Sequence, residues 1–445
     1  MKTTLFSLIL CFLFSLLGME GFGAETLPSL LKEALENSPY IKMQERNVDA
    51  KAADVRIAWS YFSPHLQGEV GRGHQSRDNY YSNLQKKRFN NTGNPAIMSI
   101  DTSNPRDSAF WNITVKQDIF KGFGNYHNLK EKKKGLEISE LERTLEKNNL
   151  IFDIISTYIE ILNLQNTLDT LSKAKASSEE QKNNLQKRYE LQAVPKTDVE
   201  KAEEKYLEID WKELEAKQAL EIAQNRMNQL LGRDLTENFK VAPLPMKNLT
   251  LQPMTFYLER IPQNLDYKKT ETQIQKDRFE KRRTYGQHLL MPNIGFEYNY
   301  EERGEKFTDL DDGWKLGFLA RTPIFDGLEN FGQKSKAAAQ LASAKLKSHL
   351  TKQSAEIGIK KHYYHFKALE KNIIHLKKKR DRQQRLFEDT LKALKEKAAT
   401  LAQLHATEVL VLETDTQLLE KKRAQLLDYV SLQKLIGEIN THELF

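Results

Sequence analysis

The sequence is poor in the residue types on which disulfide-rich and metal-binding proteins depend. It contains one cysteine, Cys11, among 445 residues. This cysteine lies in an apolar run, 5–17, that follows Lys2 and is too short to span a bilayer. We therefore predict a cleaved secretory signal at 1–23 rather than a short membrane anchor. The mature chain would then have no cysteine, which excludes disulfides, thiolate catalysis and Cys-ligated metals.

Glycine and proline are also scarce, which argues against a compact, turn-rich domain. The chain has 20 Gly and 12 Pro, 29% charged residues and a mean hydropathy of −0.64. This composition is typical of long, solvated helices with narrow apolar seams. The net charge of +7 comes from Lys and Arg interleaved with Glu, as in 131–134 and 200–205. Interleaved charge indicates a solvated helix face, so no nucleic-acid partner is predicted.

Motifs for catalysis and for cofactors are missing as well. We find no nucleophile–base pair, phosphate loop or zinc spacing, so the sequence predicts neither an enzyme nor a cofactor. His362 and His365 lie on a long predicted helix with no third ligand nearby, which favours surface or seam residues over a metal site. Glu408 with Glu413 or Asp415 is similarly interpreted as a solvated face rather than an acid–base pair.

The sequence contains two copies of one pattern, in which a predicted strand is followed by a very long helical hairpin. Ile119 matches Ile324, and a Gly that ends the first hairpin, Gly232, matches Gly437. Both differences, 324 − 119 and 437 − 232, equal 205, as does 330 − 125 for an Asn pair. A gapless spacing over more than a hundred residues indicates a tandem duplication.

The predicted organisation follows from this repeat. A signal peptide at 1–23 precedes a first repeat at 24–232, a linker at 233–253 and a second repeat at 254–445. The repeats contain predicted strands at about 64–73, 108–118, 292–301 and 313–322, and helical hairpins at 126–232 and 330–437. Polar loops are predicted at 74–106 and 303–312. Single helices are predicted at 27–62 and 255–290.

Apolar residues recur along the first long helix at Ile151, Ile155, Tyr158 and Leu162, which predicts one buried stripe. The hairpin turn follows this helix. Thr197 is a candidate N-cap of the return helix, with Glu200 completing a capping box.

The two faces of each predicted strand differ in chemistry. Apolar and aromatic residues alternate with polar residues at a period of two, so one face is apolar and the other is polar. No remaining segment is suited to cover the apolar side, so it is predicted to face lipid. The predicted lipid-facing residues are Trp111, Ile113, Val115, Phe296, Tyr298, Trp314, Leu316 and Phe318. Four strands cannot close a barrel, so two or three chains must pool 8 or 12 strands.

Short motifs, in order, resemble those of the TolC-like outer membrane efflux proteins. The opening motif is matched by 34–41, and the entries to each first strand by 64–66 and 292–294. The exits from each second strand are matched by 117–122 and 322–327, and the hairpin end by 228–232. Together the motifs cover nearly the whole mature chain.

The resemblance implies a mainly α fold with a membrane β-barrel. Each chain would be a tandem repeat of helix, strand, strand and long helical hairpin. It would form a homotrimer with a 12-stranded barrel in the outer membrane of a Gram-negative bacterium and a 12-helix periplasmic tube. The expected partners are outer-membrane lipid, a periplasmic adaptor and an inner-membrane RND or ABC transporter. The expected function is that of an exit duct in a tripartite efflux pump or a type I secretion system.

The resemblance also assigns roles to the helical turns. Asp198 matches an aspartate that pairs at the closed entrance of the family, although a carboxylate at a helix N-terminus is equally explained by the helix dipole. The adaptor-contacting tip would be Leu191, Gln192, Ala193 and Val194. In the second repeat Leu394, Ala399, Gln403 and Ala406 replace the gating residues of the family, which is a departure from its pattern.

A different class of protein remains as the alternative. A secreted coiled-coil structural protein or a periplasmic adaptor would also contain long helical hairpins. An adaptor needs a soluble β-domain split around one hairpin, and the two hairpins and lopsided strands disfavour it.

Overall fold

A computed structural model of the protein describes most of the mature chain. The described residues are 24–74, 107–244, 249–287, 292–322, 327–396, 398–399, 401–437 and 439. The predicted signal peptide and nearly all of the predicted first loop lie outside them. The chain divides into two compact units. The helical unit comprises residues up to 47, 140–269 and those from 348 onward, and the sheet unit comprises 48–139 and 270–347.

Both halves of the chain follow the order helices, two strands and a long hairpin. The elements are α1 (Leu27–Asn37), α2 (Pro39–Ser60), β1 (His65–His74), β2 (Asp107–Lys121), α3 (Gly124–Glu190), α4 (Lys196–Leu231), α5 (Met254–Glu259), α6 (Leu265–Gln287), β3 (Asn293–Lys306), β4 (Asp309–Arg321), α7 (Glu329–Lys395) and α8 (Leu401–Leu435). The helices α3 and α7 each contain 67 residues. At about 1.5 Å per residue, each is roughly 100 Å long.

The first helix of each repeat is interrupted, where the sequence predicted a continuous helix. Ser38 leaves the helical region at φ −55° and ψ 128° because it precedes Pro39, whose ring disfavours a helical neighbour. Asn264 adopts nearly the same angles, φ −54° and ψ 126°, after a short 3-10 turn at Ile261–Gln263. The prediction of single helices at 27–62 and 255–290 is therefore wrong at these two positions.

The core of the helical unit forms along the predicted stripe of α3. Ile151, Ile155, Tyr158 and Leu162 are all buried, as predicted. They pack against apolar residues of α1, α4 and α8 in one continuous cluster. Burying each such side chain contributes about 1.5–3 kcal/mol, so this cluster dominates the stability of the unit.

The described part of the predicted linker is packed on the core rather than free. Phe239 and Val241 are buried, and Val241 pairs with Glu25 in a short parallel bridge. The Tyr158 hydroxyl donates to the Ala242 carbonyl at 2.6 Å, and burial raises the pKa of this phenol. Arg233 forms ion pairs with Glu25 at 2.9 Å and with Glu33 at 2.5 Å.

The duplication extends to the contacts inside each hairpin. Lys175 of α3 forms an ion pair with Asp210 of α4 at 2.5 Å. Arg380 of α7 forms one with Asp415 of α8 at 3.1 Å. Both members of the second pair lie 205 residues after those of the first (380 − 175 and 415 − 210). Hydrogen bonds to Asp210 and then to Glu213 raise the pKa of the Lys175 ammonium.

The four strands form one antiparallel sheet in the order β1-β2-β3-β4. The polar loop predicted at 303–312 is mostly strand instead. Pairing between β3 and β4 continues to Lys306 and Asp309, which leaves only a two-residue turn. A register shift between Asp118 and Phe120 marks a bulge in β2 against β3.

Gly232 ends α4 as predicted, in the left-handed conformation with φ +79°. A Cβ there would lie 2.9 Å from Pro39 Cδ and 3.2 Å from the Asn37 carbonyl oxygen. We expect Gly232→Ala to lower the thermal midpoint of the purified protein. The backbone strain alone costs about 1 kcal/mol. Circular dichroism during heating measures the change.

Gly135, within α3, provides the matched control. A Cβ there would meet nothing within 4 Å. Gly135→Ala should raise the midpoint, since Gly inside a helix is less stable than Ala by about 0.5–1 kcal/mol. An unchanged midpoint for Gly232→Ala would show that the left-handed end of α4 is not required.

Candidate functional site

One face of the sheet carries most of the apolar residues of the four strands. Val115 pairs with Tyr298, and Tyr298 pairs with Leu316. Directly paired residues share a face and neighbours along a strand alternate, so the register places the whole predicted set on one side. That set is Trp111, Ile113, Val115, Phe296, Tyr298, Trp314, Leu316 and Phe318. Trp314 is 70% exposed and Phe318 is 72% exposed within the described chain.

The opposite face is polar and internally hydrogen-bonded. Thr114 donates to the Asn299 side chain at 2.8 Å, across β2 and β3. Asn112 donates to Glu69 across β1 and β2 at 3.3 Å. The two faces of the sheet thus differ in chemistry, one mainly apolar and the other mainly polar.

A carboxylate marks one limit of the apolar face. Glu302 accepts hydrogen bonds from Trp111 Nε1 and from the Tyr300 hydroxyl, both at 2.9 Å. Glu302 pairs with Asp312 across β3 and β4, so the face turns acidic at this level. Aromatic rings with polar ends are typical of a membrane–water boundary. Alternation alone did not single out Glu302, because a contact between strands far apart in the sequence creates this cluster.

The turn of the first hairpin is a short, exposed tip. Leu191, Gln192 and Ala193 are exposed, while Val194 is half-buried. Gln192 adopts a positive φ of 59°, and the Ala193 N–H donates to the Arg188 carbonyl at 2.8 Å. This hydrogen bond closes the end of α3, and the apolar side chain of Leu191 is left exposed to solvent.

The capping box predicted at this turn is wrong. The N-cap of α4 is Pro195, with no side-chain capping bond, and Thr197 lies inside the helix. Glu200 pairs instead with Lys196 at 3.1 Å. Pro195 has the extended backbone that an N-cap needs, so the helix begins two residues earlier than predicted. Asp198 lies half-buried in the first turn, where the helix dipole stabilises a carboxylate.

The turn of the second hairpin contains the residues that replace the gating residues of the family. Leu394 and Ala399 are half-buried, and Gln403 is exposed at the start of α8. The Ala398 N–H donates to the Ala393 carbonyl at 2.8 Å. Ala406 lies in α8.

The two histidines of α7 have a partner that the sequence did not reveal. His362 Nδ1 lies 2.8 Å from one carboxylate oxygen of Asp428, and His365 Nδ1 lies 2.6 Å from the other. Asp428 is buried, so the two imidazoles satisfy a carboxylate that water does not reach. This arrangement ties α7 to α8.

Among the described residues, every helix is too short or too polar to serve as a transmembrane helix. No group of three or more His, Cys, Asp or Glu side chains among these residues is arranged to hold a metal ion.

Comparison with known proteins agrees with this geometry. Residues 30–233, essentially the first repeat, match the sequence profile described as "Outer membrane efflux protein". A comparison with curated protein sequences gives no significant match.

Several solved structures share the fold over nearly the whole chain. The CmeC outer membrane channel of Campylobacter jejuni has a TM-score of 0.76 and 16% identity, covering 92% of this chain and 85% of that one. VceC of Vibrio cholerae has a TM-score of 0.71 and 17% identity, with coverages of 93% and 97%. The MtrE outer membrane channel of Neisseria gonorrhoeae has a TM-score of 0.70 and 15% identity, with coverages of 92% and 88%.

Duplicated long hairpins joined to a sheet with one exposed apolar face define an outer-membrane channel fold. The first repeat of the chain matches the outer membrane efflux protein family, and the whole described chain has the fold of solved outer-membrane channels. Members of this family are channels of the outer membrane and not enzymes.

A charged substitution on the apolar face tests whether that face of the sheet contacts lipid. Phe318→Lys should block membrane assembly, since Lys on a lipid face costs about 2–4 kcal/mol at mid-depth. The yield of protein in the outer-membrane fraction, relative to the unaltered protein, measures the effect.

Gly317→Lys is the matched control, one residue away on the polar face. A Cβ at Gly317 meets nothing within 4 Å, so this variant should assemble normally. Equal yields of the two variants would contradict the assigned facing.

Proposed function

We propose that the protein is the homotrimeric exit duct of a tripartite efflux pump or a type I secretion system. It passes substrates from the periplasm, or directly from a pump, to the exterior. The proposal rests on one observation, the exposed apolar face of the sheet. Lipid, rather than water, is the environment that suits such a face. The duct itself performs no chemistry, and the pump supplies the energy.

The sheet supports a trimer. Its outer strands, β1 and β4, have unpaired edges in the four-stranded order. Open edges are not tolerated in hydrocarbon, so strands of other copies must complete the wall. Three copies supply 12 strands, the number that the family resemblance implies.

The packing of the helices within one chain, together with the duplication, supports the same assembly. Within one chain, Ile159 of α3 lies in a buried cluster, and the partly buried Leu427 of α8 packs against that cluster. Nearby, Lys434 lies over the Phe152 ring at 5.2 Å, and Arg423 contacts the Asn163 side chain. A long helix of one repeat thus packs against the return helix of the other.

The duplicated counterparts of this pair are exposed. Tyr364 (364 − 159 = 205) is 62% exposed on α7, and Ile222 (427 − 222 = 205) is 69% exposed on α4. We infer that α4 of a second copy covers α7 in the way that α8 covers α3. Such a head-to-tail contact generates a ring when the rotation closes.

The hairpin turns supply the remaining parts of the proposal. Leu191, Gln192, Ala193 and Val194 form an exposed tip of mixed polarity, suited to contact a periplasmic adaptor. Asp198 of the first turn, with Leu394, Ala399 and Gln403 of the second, would line the periplasmic entrance. An inner-membrane RND or ABC transporter would complete the machine.

Disulfide crosslinking tests the helical ring. In the chain that begins after residue 23 there is no native cysteine. Tyr364→Cys combined with Ile222→Cys should give, on oxidation, a covalent trimer in denaturing gel electrophoresis. The two side chains should meet because their counterparts, Ile159 and Leu427, pack in the same cluster.

Tyr364→Cys with Lys217→Cys is the control pair. Lys217 is exposed on α4 but points about 140° away from Ile222, at about 100° per residue. Crosslinking only within monomers, or equally in both pairs, would remove the proposed assembly.

Asp198 gives a test of the entrance. Asp198→Ala should raise the single-channel conductance in planar bilayers if the carboxylate narrows the entrance. Glu200→Ala, in the same turn and exposed, is the control and should leave conductance unchanged. An unaltered conductance for Asp198→Ala would leave only its favourable position at the helix N-terminus.

A further inference from the structure

The two junctions between a second strand and a long helix share an unusual backbone. Gly122 and Phe123 lie between β2 and α3, and Gly327 and Leu328 stand 205 residues later, between β4 and α7. All four have a positive φ, of 55°, 62°, 66° and 72° in chain order. A bulky side chain disfavours this left-handed backbone, yet Phe123 and Leu328 are both exposed. The strained backbone of the junctions therefore does not serve to bury these two side chains.

The first junction continues the apolar face of the sheet. Phe120 pairs with Ile294 across β2 and β3. Ile294 lies two residues before Phe296, so Phe120 belongs to the apolar face. The rings of Phe120 and Phe123 are 5.2 Å apart and meet edge to face. Phe123 thus extends the apolar face past the end of the strands.

Other exposed rings lie near the junctions, within the sheet unit. Tyr126 and Phe331 occupy matched positions in α3 and α7, 205 residues apart. Gly286 lets the end of α6 pack against the first junction, because a Cβ there would clash with the Gly122 carbonyl oxygen. We call the exposed residues at this level the junction collar: Trp59, Phe123, Tyr126, Tyr285, Leu328 and Phe331.

Lysines lie over rings of the junction collar in both repeats. Lys133 of α3 lies 5.3 Å from the centre of the Trp59 ring at the end of α2. Lys334 of α7 and Lys281 of α6 lie 5.3 Å and 5.5 Å from the centre of the Tyr285 ring. Each repeat therefore places a lysine of its long helix over an exposed ring of the preceding helix. No ion pair between described residues occupies any of these three lysines.

The two limits of the apolar face differ in charge. Near the junction collar, 276–285 of α6 contains five basic and two acidic residues, and 130–134 of α3 contains four lysines and one acid. Glu131 and Asp277 of these segments are buried, which leaves their exposed surface mainly cationic. The opposite limit of the apolar face carries Glu302, which accepts hydrogen bonds from two aromatic side chains. Only the collar end is therefore suited to an anion.

We propose that the junction collar binds acidic phospholipids of the periplasmic leaflet of the outer membrane. Its apolar side chains enter the boundary of the acyl chains, and Lys133, Lys281 and Lys334 bind the headgroup phosphate. A ring attracts an ammonium without neutralising its charge, so these lysines stay available to an anion. Lysines beside an acidic leaflet are attracted to it, and exposed rings favour the headgroup level. This inference rests on the lipid facing of the sheet in the proposed function.

Lipid selection from vesicles tests the collar. The full-length protein is reconstituted in equimolar phosphatidylglycerol and phosphatidylethanolamine, then extracted with its bound lipid, which is quantified by mass spectrometry. We expect phosphatidylglycerol to be enriched. Lys281→Gln with Lys334→Gln should lower this enrichment by roughly fivefold or more, because one lysine beside an acidic surface changes affinity by about that factor at low salt. Lys281→Arg with Lys334→Arg keeps the charge and should keep the enrichment.

Lys268→Gln with Lys345→Gln is the matched control. Both lysines are exposed on the same two helices, 13 residues before Lys281 and 11 residues after Lys334. The control removes the same charge away from the junctions and should leave the enrichment unchanged. Equal enrichment in the two Gln pairs, or none in the unaltered protein, overturns the collar as an acidic-lipid site. Failure of the unaltered protein to enter the vesicles contradicts instead the lipid facing of the sheet.

Discussion

A backbone edge in hydrocarbon has no water to satisfy its N–H and C=O groups, and this constraint governs the whole molecule. The four-stranded sheet has two such edges and one apolar face that no described segment covers. A single chain can neither pair these edges nor cover the apolar face, because the rest of the chain consists of long, charged helices. In the proposed assembly the fold is one sector of a closed wall. The helices leave Tyr364 and Ile222 exposed in the single chain, where a second copy would cover them.

The duplication suggests how copies of the chain can pack together by reusing a contact that already exists within one chain. The cluster that joins α3 to α8 already solves the packing problem inside one chain. In the proposed trimer, the corresponding contact between α7 and α4 needs only another copy in the same relation. The repeated ion pairs, Lys175–Asp210 and Arg380–Asp415, show that side-chain contacts as well as backbone lengths survived the duplication.

Stability is distributed unevenly along the helical unit. Near Tyr158 the buried cluster, the packed linker and the ion pairs of Arg233 reinforce one another. Toward the turns the contacts become ionic and exposed, and such contacts contribute little free energy.

The sequence by itself determined the repeat, the element order, the apolar stripe of α3 and the residues that share one sheet face. These follow from periodicity, which is a local property of the chain. The break at Ser38 has a local cause, the proline that follows it, although the predicted helix passed through it. Only the tertiary structure decided the break at Asn264, the early start of α4, the packed linker, and the partners of Glu302 and Asp428. The linker and the two carboxylates have partners that lie far apart in the sequence, and the other two features depend on backbone angles that several residue types can adopt.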